Sequence, residues 1–142
     1  MRATLTGIIQ ARLDSLPADE RLTLQRASVI GRTFWDTAVE HVNSSVRDSE
    51  FPLEVARHVR DVGQTLEALA HRELIFKRAN PSFARTTEYV FKHAILREVT
   101  YESVLKRERR VYHSIVAEWL LSYSGERVGE VTGLVADHLE MA

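Results

Sequence analysis

Six histidines, at positions 41, 58, 71, 93, 113 and 138, are the side chains of this sequence that first suggest ligand chemistry. A metal site draws three or four nitrogen, sulfur or oxygen ligands together, and on a helix its signature is His-x-x-x-His or a cysteine-containing spacing. No two of these histidines stand four residues apart, and the chain contains no cysteine. No metal site is expected, and disulfides, thiolate ligands and cysteine nucleophiles are absent by composition. Loops that cradle phosphate need glycines set close together so that backbone N–H groups reach the anion, and the Walker form adds Gly-Lys-Ser/Thr. The six glycines here are scattered and none precedes a lysine. No serine sits in a nucleophile elbow, and no helical stretch sets two carboxylates among apolar residues, so an enzyme acting on its own is not expected.

His93 stands apart by position. Glu88-Tyr89-Val90-Phe91 reads as a strand and the pattern from Ala94 onward as a helix, which puts His93 at the corner between them. The first turn of a helix presents unpaired N–H groups and a partial positive charge, a setting that suits an anion. The same corner suits a buried or capping histidine with no ligand, and the residues alone leave both readings open. Lys106-Arg107-Glu108-Arg109-Arg110, the densest basic run, reads as a solvated helix face, with contact to phosphates or an acidic partner as the sharper alternative. Arg57, Arg60 and Arg72 fall on or near the fourth helical stretch, interleaved with Glu54, Asp61 and Glu67. A duplex would meet a mixed surface there, so nucleic-acid binding through this segment is not expected. Trp35, Trp119, Phe34, Phe76, Tyr89 and Phe91 read as core, because large aromatics dominate burial in small domains.

The elements that position these residues follow from periodicity. Leu5, Ile8, Ile9, Leu13 and Leu16 form a helical stripe that stops at Pro17. Asp19 and Glu20 are first-turn acids of a second helix, whose apolar positions Leu22, Leu24, Ala27, Val29 and Ile30 run to Gly31. Phe34, Trp35, Ala38, Val39 and Val42 predict a short third helix, closed by a surface loop from Asn43 to Glu50. After Pro52, the recurrence of Val55, Val59, Val62, Leu66, Leu69 and Ala70 predicts an amphipathic helix that Gly63 weakens only slightly. Leu74-Ile75-Phe76-Lys77 and Glu88-Tyr89-Val90-Phe91 predict a β-hairpin across a long loop holding Asn80-Pro81. From His93 the helical pattern runs to Leu120 as one bent helix or two, breaks at Ser122-Tyr123-Ser124-Gly125-Glu126, and resumes at Val131, Leu134, Val135 and Leu139.

The fold class that follows is mainly α with one β-hairpin: a winged-helix domain over 1–92, then a helical linker and the start of a helical repeat over 93–142. At 142 residues, 44% apolar and 27% charged, the chain is sized and composed as a soluble globular domain with a helical appendage. Nineteen basic against twenty acidic residues leave a formal charge of -1, which gives no overall field toward nucleic acid or an anionic membrane. No stretch approaches the roughly twenty apolar residues of a membrane span and the N-terminus lacks a signal-peptide core, so no membrane partner is expected and the expected location is the cytoplasm. Both ends fall inside helical patterns without stop signals, as in a piece of a longer chain.

Four blocks, in this order, carry a resemblance. They are Ile9-Gln10-Ala11-Arg12-Leu13-Asp14-Ser15-Leu16-Pro17, Ala27-Ser28-Val29-Ile30-Gly31-Arg32-Thr33-Phe34-Trp35, Arg72-Glu73-Leu74-Ile75-Phe76-Lys77-Arg78, and the run from Tyr89 to Leu105 with Phe91, His93, Glu98 and Tyr101. Together they resemble the region after the AAA-like ATPase module of STAND-class bacterial signalling proteins, which include multidomain adenylate/guanylate cyclase-like proteins and large LuxR-type transcriptional regulators. The resemblance implies a winged helix packed on a nucleotide-binding domain and followed by tetratricopeptide-like repeats, the first of them beginning in Leu134–Ala142. It implies a non-catalytic regulatory segment, with ATP or ADP bound by the parent protein and no cofactor in this fragment. Its partners would be the neighbouring ATPase domain and the helical repeats of the same chain. It also implies a role for His93. In such proteins a Met-His-Asp motif touches the β-phosphate of ADP through its histidine; here Lys92 replaces Met and Ala94 replaces Asp, leaving Glu98 or another group to orient the ring.

Overall fold

The computed structural model describes residues 4–47, 61–79, 85–124 and 128–142. Among these residues the protein is mainly helical, with one small antiparallel sheet of three strands. Helix α1 (Leu5–Asp14) starts where the Thr4 hydroxyl accepts from the Gly7 N–H at 2.9 Å, a side-chain cap on an otherwise unpaired donor. Its apolar stripe is only partly used. Leu13, and Leu16 just beyond it, are buried, while Leu5 and Ile8 are 61% and 55% exposed.

Helix α2 (Ala18–Ile30) is the centre of the molecule, and Leu24, Ala27, Val29 and Ile30 are all buried along it. A helix covered on most sides buries polar groups too, and each needs a partner. The Arg26 guanidinium, 1% exposed, donates to Asn43 Oδ1 and stands 5.5 Å from the centre of the Tyr112 ring. Glu20 pairs with Arg72 Nε at 2.6 Å. The helix ends at Gly31, whose φ of 152° favours glycine. A Cβ there would also lie 3.3 Å from the Thr33 carbonyl oxygen.

The next segment departs from the expectation of a helix from Phe34. Thr33–Trp35 is strand β1, and α3 (Asp36–Arg47) starts one residue later. The Asp36 carboxylate accepts from the Thr37 and Thr87 N–H groups at 2.7 and 2.9 Å, which fixes the helix start against the strand that follows in space. The expected loop from Asn43 is also corrected. α3 continues through Arg47, because Asn43 is held inside by Arg26 and Val46 is buried one turn beyond Val42; positions 48–50 lie outside the described residues.

Helix α4 (Val62–His71) is capped by Asp61, whose carboxylate accepts from the Gln64 N–H at 3.0 Å. Val55 and Val59, expected on the same helix, lie outside the described residues, as does the hairpin's Asn80-Pro81. Strands β2 (Ile75–Lys77) and β3 (Glu88–Phe91) pair antiparallel with Ile75 opposite Phe91, as the hairpin pattern requires. β1 adds to the far side of β3, with Phe34 opposite Tyr89, giving the order β1-β3-β2.

Of the aromatics expected in the core, Phe34, Trp35, Tyr89, Phe91 and Trp119 are buried, with Trp35 stacked on Trp119 at 5.5 Å. Phe76 is not. It is 45% exposed because side chains alternate across a strand, and Ile75 takes the inward position. The helical run after His93 is two helices, α5 (Ala94–Glu102) and α6 (Lys106–Ser124). Helix α7 (Val128–Met141) packs along α6. Leu96, Val99, Tyr112, Val116 and Leu120 share one buried cluster with Leu24, Phe34 and Val39, so residues on both sides of position 92 build a single core.

Candidate functional site

Main-chain bonds build the corner at His93. The Phe91 N–H donates to the Arg32 carbonyl at 2.9 Å and the Lys92 N–H to the Leu74 carbonyl at 3.0 Å, tying the end of β3 to both flanks. The chain then turns, and His93 is the N-cap of α5 with φ -133° and ψ 142°. Its side chain is exposed and makes no cap bond, and no hydrogen bond joins it to Glu98. It faces a groove of about 450 Å³ between the corner and α1, lined by Leu5, Ile8, Arg12, Lys92 and Ile95 among others. Three cationic or potentially cationic groups, Arg12, Lys92 and His93, thus share the groove with the positive end of a helix. Glu73 lines the same groove and Arg12 donates to the Arg72 carbonyl at 2.8 Å, while the exposed α1 side chains give the groove an apolar wall.

The other basic groups are differently placed. Lys106, Arg107 and Arg110 are exposed at the start of α6, as a solvated face requires. Arg109 turns inward, 4.8 Å from the centre of the Tyr101 ring and 4.0 Å from Glu102. Arg72 is engaged by Glu20. Arg57 and Arg60 lie outside the described residues.

A second constellation escaped the sequence reading. Tyr101 on α5, half-buried, and His113 on α6 and His138 on α7, both buried, form a row. The Tyr101 hydroxyl is 2.8 Å from His113 Nε2, and His113 Nδ1 is 2.7 Å from His138 Nδ1. His113 is 4% exposed and His138 7%. Burial pushes the His113 imidazole down to about 4, with further lowering from His138, Arg97 and Arg109. Burial also lowers His138, against an opposing hydrogen bond to the Ile30 backbone and the charge of Asp137. A signal for the row exists in the sequence: His113, Val116, Ala117 and Leu120 share one helical stripe, and His138 continues the stripe of Leu134 and Val135. Two histidines on apolar faces of neighbouring helices are candidates to meet. Among the described residues no three His, Asp or Glu side chains gather as a metal-binding group, and no helix is long and apolar enough to cross a membrane. No family model matches the chain, and no curated protein or solved structure matches it either.

Proposed function

We propose that this chain is a non-catalytic regulatory module of a larger cytoplasmic STAND-type ATPase signalling protein, coupling the nucleotide state of a neighbouring domain to an output domain. On this reading 1–92 is a winged helix, and 93–142 is a helical linker leading into tetratricopeptide-like repeats. The order α2-β1-α3-α4-β2-β3, with β1 on the outer edge of the β2–β3 hairpin, supports the first assignment. The antiparallel pairing of α6 and α7 supports the second.

The observation that carries the reading is the unengaged imidazole of His93 at the start of α5, beside Lys92 and Arg12 in an open groove. A capping residue would spend its side chain on the helix. This one is free to meet the β-phosphate of an ADP held by the ATPase domain. An imidazole N–H on a phosphate oxygen is a charge-assisted hydrogen bond worth about 1.5–3 kcal/mol, or roughly ten- to a hundredfold in a closed-to-open equilibrium. His93→Ala in the intact protein is therefore expected to raise basal output by at least about tenfold if the resting state is the ADP-closed form. The melting temperature of the fragment should stay unchanged, because no fold contact is lost. A destabilised fragment without activation would remove the sensor role. Saturable, salt-sensitive binding of a DNA duplex to the fragment would instead favour a DNA-binding winged helix.

A further inference from the structure

We propose that the contact between His113 and His138 is an acid-operated latch that holds α7 against the body of the molecule and releases it when both imidazoles take up protons. At neutral pH the 2.7 Å contact between the two Nδ1 atoms requires one proton between them. The Ile30 backbone favours a proton on His138, and His138 meets His113 through Nδ1, so the tautomer of His138 with its hydrogen on Nε2 is the favoured one. A neutral imidazole carries one N–H. His138 Nδ1 is then bare and accepts from His113 Nδ1–H; His113 Nε2 is bare in turn and accepts from the Tyr101 hydroxyl. One proton lies between the two Nδ1 atoms, and both ring nitrogens of His113 have a partner.

The first added proton can be accommodated, because an imidazolium beside a neutral ring still leaves one N–H between them. The second cannot. Both Nδ1 atoms would carry hydrogens aimed at each other across 2.7 Å, in rings whose centres are 4.9 Å apart. The surroundings oppose charging as well. Arg97 from α5 and Arg109 from α6 lie over the Tyr101 ring at 4.6 and 4.8 Å and disfavour charge on His113. Glu98 and Glu102 act on those arginines, and only Asp137 of α7 and the Ile30 carbonyl of α2 favour a charged His138.

Helix α7 is the element placed to respond. It packs along α6, and Val135 and His138 are its buried residues among the described side chains. Detaching it leaves the core around α2 in place and gives both rings to water, a local opening rather than global unfolding. Both histidines are depressed in the closed form, so the open form binds protons first as the pH falls. Opening is favoured from about pH 6.5 downward. With His113 at about 4 when closed and 6.5 when open, that residue alone favours opening about thirtyfold at pH 5 over pH 7.5.

Hydrogen–deuterium exchange of the whole chain at pH 7.5 and 5.0, corrected for intrinsic exchange rates, tests the latch. Amides of 133–141 should be less protected than those of α2 and β3 at both pH values and lose protection by about thirtyfold or more at pH 5, and the double substitution His113→Leu with His138→Leu should make α7 exchange alike at the two pH values. Amides of α7 as well protected as those of α2 and β3, or a pH response of α7 that survives the double substitution, would overturn the proposal. Should the double variant fail to fold, imidazole NMR of the unsubstituted protein decides. Both rings titrating below 6.5, with His113 protonated at Nδ1, supports the latch; either ring titrating at or above 6.5 sinks it.

Discussion

His93 and the His113–His138 pair are both histidines at helices, and they differ in each property that sets what a histidine can do. His93 is exposed, spends its side chain on no cap bond and faces an open groove. His113 and His138 are buried, bonded to each other, and tied through Tyr101 to a further helix. An exposed, unengaged imidazole costs the fold little and is available to a ligand. A buried, bonded one supports the fold and answers to protons, because burial disfavours its charge and a second proton on the pair must displace the bond between the rings.

The sharpest way to break that contrast is substitution of the buried ring. His113→Ala removes packed volume and leaves the Tyr101 hydroxyl and His138 Nδ1 without their partner, so chemical denaturation at pH 7.5 should show a loss of about 2–4 kcal/mol. A loss near zero would mean the row is not part of what holds the fold. Acid comes next. The folded-state value of His113 lies below its unfolded 6.5, at about 4, so stability is fully present above pH 6.5 and falls as the pH drops toward 4. By pH 5 this residue should have removed about 2 kcal/mol, with His138 acting in the same sense. Unfolding midpoints that stay level between pH 7 and 5 would contradict the burial of both rings. Tyr101→Phe keeps the ring beneath Arg97 and Arg109 and deletes only the donor to His113 Nε2, for an expected cost of about 1 kcal/mol by thermal melting. His93→Ala should fall within about 0.5 kcal/mol of the parent fragment, as surface changes do. Equal costs at 93 and 113 would erase the distinction between the two places.

Much of the element order was legible because helix and strand periods are local. The stripe from Leu5 to Leu16, the acids after Pro17, the end at Gly31 and the β2–β3 hairpin all appear where the pattern puts them. So does the corner at His93, since a strand giving way to a helix can be seen in a dozen residues. Phe34 and Trp35 were assigned to the core correctly and to the wrong element. They fit a helical stripe with Ala38, Val39 and Val42, and only the far strand turns them into β1. Phe76 was misplaced for the opposite reason: aromatic content suggested burial, whereas strand alternation gave the inward position to Ile75.

The sequence by itself determined most of the helical and extended segments, though not β1 or the end of α3, and that His93 stands at a junction, because these depend on neighbours within a few turns. It also determined that no cysteine and no clustered glycine loop is available for chemistry. The tertiary structure alone decided that Thr33 pairs with Val90, that Arg26 finds Asn43, and that His113 meets His138. Those partners are far apart in the chain and are chosen by how packed elements share a core. A buried polar side chain must end beside whatever can satisfy it, and no local pattern records which residue that will be.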